Sequence, residues 1–390
     1  MLSRRNRTRR NRTWRTGIAV LAAAVVIAAC SSSAASTAAP SSAAAPASSA
    51  AAPASAAAAS TAASAAPAAS AAAAANNPQM TLKFSCPCTT GQPQTEAMQR
   101  FATEVHQLTN GAITVDLFPN GSLLSETVEF EGLQKDSVDI AYAAPDVFAP
   151  QAQAMEILLT PYMFTSWSQV QSTFNSQYGQ QLVQLAVQKL GVRPLDIQDL
   201  GARELDLTVT KHINTPADMA GIKLRMPPGP YWAKLGAAMG AQVTPVAFNE
   251  IYLALQTGTV QGQDNPVATD IANKFYEVTK QLVLTNHVFS PVMPTINESV
   301  WQKLSTSEQQ AIVKAFQDAD TWADQQVQNT QDAGIALMKQ HGMQVYSPDV
   351  KAFQSAVLKS FLCDPTWTSP FLPGMLQSVE QSTGAVVPTC

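Results

Sequence analysis

The strongest constraint in this sequence is a long, uninterrupted helical pattern near its C-terminal end. Ser305, with Glu308 three residues on, forms a capping box, and the pattern then runs unbroken to Gly342. At about 1.5 Å per residue a helix over 305–341 is roughly 50 Å long. The body that must house it, from about Gln79 to Cys390, exceeds one compact core and predicts two lobes. A helix of that length either spans both lobes or breaks into two packed helices.

The rest of the body alternates strand and helix patterns. Met80 to Phe84 and Ile113 to Phe118 alternate as strands, and between them Met98, Phe101, Val105 and Leu108 mark one face of a helix that Asn110-Gly111 ends. A helix through Val128 and Leu133 leads to the short strand Val138 to Tyr142. After about Gly201 the pattern restarts, with strands at Leu205 to Thr210 and Ile222 to Met226, a capped turn at Thr215 to Met219, and helices at Asn249 to Thr257 and Ile271 to Lys280. This predicts an α/β fold with largely parallel sheets, lobe 1 over 79–200 and lobe 2 over 201–287, with parts of 288–390 joining each.

The N-terminal residues set the compartment. Seven arginines precede the apolar run Gly17 to Ala29, which falls short of a membrane span and ends in Ile27-Ala28-Ala29-Cys30, a pattern resembling a lipobox. Residues 1–30 therefore read as a lipoprotein signal peptide with Cys30 lipidated; a plain signal peptide or an uncleaved anchor is the alternative. Residues 31–78, mostly Ala, Ser, Thr and Pro, bury too little to fold and form a tether. Without the leader, 17 basic residues face 28 acidic ones, which disfavours nucleic acid. Cys86, Cys88, Cys363 and Cys390 are an even set for an oxidising compartment. Cys363 with Cys390 is the favoured pair, whereas Cys86 with Cys88 would close a very small ring, so pairing of either with the tail stays open.

Chemistry concentrates in Gly221-Ile-Lys-Leu-Arg-Met-Pro-Pro228. Arg225 sits beside a strand end stopped by two prolines, where open α/β sheets bind ligands, and its planar fork suits a carboxylate. Taken alone, an arginine at a strand end is more often a surface residue. The segments Pro245 to Gly258, Gln261-Gly-Gln-Asp-Asn-Pro266, Lys274 to Lys280, Leu284-Thr-Asn-His287, Asn120-Gly121 and Leu159 to Phe164 widen the pattern. Together they resemble the solute-binding proteins of tripartite ATP-independent periplasmic (TRAP) transporters, the DctP-like family, over nearly the whole folded body.

The resemblance implies a periplasmic-binding-protein clamshell with a long helix spanning both lobes and no cofactor. It also implies a ligand carboxylate held by Arg225, with Asn265 beside it, Phe248 against the ligand body and Arg203 as a second basic contact. Left to themselves, Phe248 reads as core, Asn265 as a turn residue before Pro266, and Arg203 as a partner of an acid such as Asp199. Two departures bear on substrate: Gln261 replaces the family's usual aspartate, and Ser85-Cys-Pro-Cys88 places cysteines in a loop expected to face the cleft. Tyr142, Asp146, Tyr231 and Trp232 fall where the family's loops approach the ligand, and their rings point to a flat, aromatic or keto acid. The implied partners are a small organic acid, TRAP membrane subunits and, through the lipid, the outer face of the cytoplasmic membrane. Signalling to a receptor kinase is the alternative role. An enzyme is disfavoured, since the body carries no nucleophile–base set, phosphate loop or metal-ligand spacing.

Overall fold

The computed structural model describes residues 79–386 and 388–390, all within the unit Ala71–Cys390. The signal peptide, Cys30 and the tether up to residue 78 lie outside the described residues. The strands are β1 (Met80–Ser85), β2 (Ile113–Phe118), β3 (Ile140–Ala143), β4 (Val192–Pro194), β5 (Gln198–Leu207), β6 (Lys223–Met226), β7 (Gln242–Pro245), β8 (Gly262–Pro266), β9 (Gln281–Val283), β10 (Phe289–Asn297) and β11 (Gln344–Tyr346).

Their order along the sheet path is β2-β1-β3-β10-β5-β8-β6-β7. β1, β2 and β3 are parallel, as are β6, β7 and β8, but β5 and β10 run against their neighbours. The sheet is thus mixed and not largely parallel. The difference lies in β10, whose Pro291 and Pro294 disguise a strand, and in the first half of β5, whose Gln198 and Asp199 look like loop. β5 and β10 pair with each other through Ala202↔Phe289, Asp199↔Pro291 and Gln198↔Val292, and so carry the chain between the β1–β3 group and the β6–β8 group.

The long helix is continuous over Thr306–Gln340 behind the Ser305–Glu308 capping box. It packs on the helix Pro93–Leu108 at one end, where Phe316 stacks on Phe101 at 3.7 Å, and on the helix Val267–Ala272 and β11 toward the other. Gly334 permits that second contact, since a Cβ there would lie 2.5 Å from Val267. Burying each of Phe84, Phe101 and Phe316 stabilises the β1 side by roughly 1.5–3 kcal/mol. The helix expected over Ile271 to Lys280 is shorter. It ends at Ala272, and a left-handed Lys274 (φ 56) turns the chain into the single turn Phe275–Glu277.

Two disulfides are formed, Cys363 with Cys390 and Cys86 with Cys88. The small ring disfavoured on its spacing is therefore closed, with the carbonyls of Cys86 and Cys88 accepting from the amides of Gly121 and Asn120. The Cys363–Cys390 bridge spans 27 residues and ties down the last helix, Met375–Thr383. Loop-closure entropy puts its contribution at roughly 3 kcal/mol. Cys363→Ser is expected to lower the denaturant midpoint accordingly, and an unchanged midpoint would show that the tail unfolds independently of the body.

Candidate functional site

The parallel strands of both groups direct their carboxyl ends to one cavity of about 430 Å³. From the first group come Cys86, Pro87 and Cys88 after β1, Tyr142 on β3 and Asp146 just beyond it. From the second come Arg225 at the end of β6 and Asn265 at the end of β8. β5 runs antiparallel to β8, with Arg203 opposite Pro266, so Arg203 arrives at the same edge. Trp232 enters from the helix Pro230–Ala238 and Phe248 from the turn Phe248–Glu250. This is the arrangement in which open α/β sheets place ligands.

Arg225 is 1 % exposed, on the same strand face as the exposed Lys223. Its Nε donates to the Val246 carbonyl at 2.8 Å, while its buried Nη2 has no hydrogen-bond partner among the described residues. The Glu126 carboxylate stands 3.9 Å from Nη2, too far for a hydrogen bond, and instead accepts from the Phe248 amide at 2.8 Å. Burial lowers the Arg225 pKa to about 10, so the guanidinium keeps its charge at neutral pH.

Arg203 is spent differently. Its Nε donates to Asp264 Oδ2 at 2.6 Å, and its Nη2 to the Asp264 carbonyl at 2.6 Å and to Asn265 Oδ1 at 3.2 Å. Its partner is therefore Asp264 and not Asp199, and Trp232 covers its guanidinium at 4.6 Å. His287 Nε2 lies 3.2 Å from the same Asp264 oxygen. Against the cost of burial, Arg203 and His287 hold the Asp264 carboxyl well below the usual range, and burial lowers His287. Asn265 is fixed on both sides, accepting from Arg203 and donating from Nδ2 to Gln263 Oε1 at 2.6 Å.

Tyr142 and Trp232 line the cavity and are also held from behind. Tyr142 packs its ring on Phe84 and takes a hydrogen bond from Gln198 at 3.3 Å, and Trp232 donates to Asp146 Oδ2 at 2.8 Å. Tyr231 is buried away from the cavity lining, its hydroxyl donating to the Leu159 carbonyl at 2.6 Å and its ring packing near Phe361 and Trp367. Gln261 is also absent from the lining; it bonds Lys223 of β6 through backbone and side chain.

Sequence reasoning missed three lining carboxyls, Glu126, Glu129 and Glu131. Val128, read as the apolar face of its helix, is 43 % exposed, whereas Glu129 is buried one turn before Leu133. An acid four residues from a core leucine was the available signal. Burial pushes the Glu129 carboxyl up to about 8, opposed by the Ser85 hydroxyl donating at 2.7 Å, and burial raises Asp146 to about 6. The cavity lining thus holds two arginines, Arg225 with its Nη2 unpartnered and Arg203 largely engaged by Asp264, Asn265 and Ser290, besides several groups able to bond hydroxyls.

Two strand groups joined by crossing strands, with their carboxyl ends around one cavity, define a two-lobed ligand-binding protein. Residues 84–361 match the bacterial extracellular solute-binding protein family 7, DctP. The sialic acid-binding periplasmic protein SiaP of Vibrio cholerae is 32 % identical over 284 residues, covering 72 % of this chain and 87 % of SiaP. A TRAP periplasmic solute-binding protein of Roseobacter denitrificans, solved with 3-deoxy-D-manno-oct-2-ulosonic acid bound, superposes with a TM-score of 0.74 at 31 % identity, covering 78 % of this chain and 99 % of that one. A second from the same organism, with L-galactonate bound, gives 0.70 at 30 % identity, covering 76 % and 99 %. The chain belongs to solute-binding protein family 7, the DctP-like TRAP solute-binding proteins, which are substrate-binding components of transport and not enzymes. Among the described residues no helix is long and apolar enough to cross a membrane.

Proposed function

We propose that this protein captures a small hydroxylated carboxylate, a sugar acid, and presents it to the membrane subunits of a TRAP transporter. The observation that carries this reading is the buried Arg225 guanidinium, which belongs to the cavity lining and whose Nη2 has no hydrogen-bond partner among the described residues. A ligand carboxylate accepting two parallel N–H bonds is the complement that such a fork demands. Asn265 stands at the neighbouring strand end to donate to the same group, and Phe248 bounds the ligand body. Arg203 supports Asn265 and is not a direct second clamp. The buried Glu129 and half-buried Asp146 suit hydroxyl groups better than an aromatic ring, as do Gln92, Gln94 and Ser290. Sugar acids are also what the two Roseobacter proteins hold. A thermal-shift panel of sugar acids, followed by calorimetry of the best against its amide, tests the reading; equal affinity for acid and amide would overturn it.

In this reading lobe 1 is built on 79–200 and lobe 2 on 201–287, and the segment 31–78 tethers them to a lipid on Cys30. Cys30→Ser is expected to release the mature protein from the membrane fraction. Retention through a high-salt wash would point to an uncleaved anchor.

A further inference from the structure

Behind Asn265 lies a polar cluster that the binding step does not touch. Asp206 of β5 stands opposite Gln263 of β8 in the strand register, and Asp270 comes from the helix Val267–Ala272. Gln263 Nε2 donates to Asp206 Oδ2 at 2.5 Å and to Asp270 Oδ1 at 2.9 Å, which occupies both of its hydrogens. Its oxygen can then only face Asn265, and it accepts from Asn265 Nδ2 at 2.6 Å. Arg203 fixes the other end of the same amide. Asn265 is therefore held in one orientation, with one N–H used and the second left for a ligand oxygen.

The two carboxyls that orient Gln263 are fully buried on one amide nitrogen, and Asp206 Oδ1 and Asp270 Oδ2 each have no hydrogen-bond partner among the described residues. Two carboxylates held this close on one amide nitrogen in a buried site cannot both ionise without strong repulsion, and a proton taken up by one of them relieves it. The other charged groups acting on them are Asp264 on β8 and Arg203 and Glu204 on β5. Across β5, β9 places Leu282 opposite Asp206, and the long helix meets the Asp270 helix at Gly334, against Val267 and Ile271. Arg203 is already paired with Asp264, and among the described residues no salt bridge reaches Asp206 or Asp270.

We propose that Asp206 and Asp270 share one proton and act, through Gln263, as positioning residues for the Asn265 amide, so that loss of that proton at high pH misorients Asn265 and weakens ligand binding. The proposal rests on Asn265 contacting the ligand. Burial and mutual repulsion raise the titration of the pair. The sign follows: a proton held more tightly in the folded protein stabilises it at acid and neutral pH, and that contribution is lost as pH rises through the raised titration.

The test begins without ligand. Infrared spectra of protein labelled with 13C-aspartate should show a protonated-carboxyl band at neutral pH that Asp206→Asn removes, since asparagine reproduces the protonated partner. The Asn265 side-chain amide resonances should shift with pH in the parent but not in Asp206→Asn. Calorimetry with L-galactonate should then show parent affinity falling about tenfold or more on the alkaline side, with a flat profile for Asp206→Asn and weak binding throughout for Gln263→Leu. Absence of the band, or Asn265 resonances that ignore pH, would overturn the proposal. If Arg225→Ala binds like the parent, the carboxylate clamp fails, yet the two ligand-free readouts still decide the shared proton.

Discussion

Replacing Arg225 by alanine is expected to weaken binding of a sugar acid such as L-galactonate by a hundredfold or more. The guanidinium lies at 1 % exposure in the cavity lining, so a ligand carboxylate meeting it there is screened little by water. Removing one member of a buried charge pair costs on the order of 3–5 kcal/mol, because the other is left desolvated without compensation. Arg225→Lys should also fail. Lysine keeps the charge but offers neither the second parallel bond to the ligand nor the Nε–H that now anchors the side chain to Val246. Calorimetry at moderate salt reads both variants, and parent-like affinity in either would remove Arg225 from the binding step.

The second large effect is on stability. Asp264 is fully buried and is the carboxylate partner of a nearly fully buried Arg203. Asp264→Asn keeps the shape but leaves Arg203 uncompensated, at a cost of about 3–5 kcal/mol. The pKa direction gives the pH signature. Asp264 is depressed, so its contribution is present above the unfolded carboxylate pKa and is lost as pH falls through the folded value. Parent and variant should therefore differ most at neutral pH and converge only in strong acid. Chemical denaturation at neutral and acid pH measures this; equal stability at neutral pH would mean that Arg203 finds other partners.

How far the sequence disclosed all this depended on where each residue's partners lie. β1 and β2 alternate cleanly because one face of each meets the helix Pro93–Leu108, a local relation that periodicity records. The long helix was equally legible from its cap. β10 was not, because its prolines are tolerated only by the register shift between Phe289 and Pro291 and by antiparallel partners distant in sequence. Gln198 and Asp199 stayed hidden for a similar reason: the groups that satisfy them, Asp320 and Asp324, lie more than a hundred residues away on the long helix. The seven residues named for the ligand site all reach the cavity lining, since strand ends and their loops were placed by resemblance. Tyr231, expected beside them, did not, because its ring packs edge to face against Trp232 at 4.7 Å and toward Phe361 and Trp367. Nor did resemblance disclose that Arg203 is engaged by Asp264, which depends on the antiparallel run of β5 against β8.

The crossing of β5 and β10 also bears on how the cleft works. A single covalent strand between two bodies is a swivel, free to turn about a few dihedrals. Here the two crossing strands are bonded to each other through three residue pairs, so the junction behaves as a leaf spring, resisting twist while yielding to bend. Its compliant point is marked by the register shift at Phe289 to Pro291 and by Gly201, whose φ of +104 suits glycine and whose Cβ would crowd Pro266 and Val327. Such a junction holds the β1–β3 and β6–β8 groups in one register about the cavity that Arg225 and Asp146 both line.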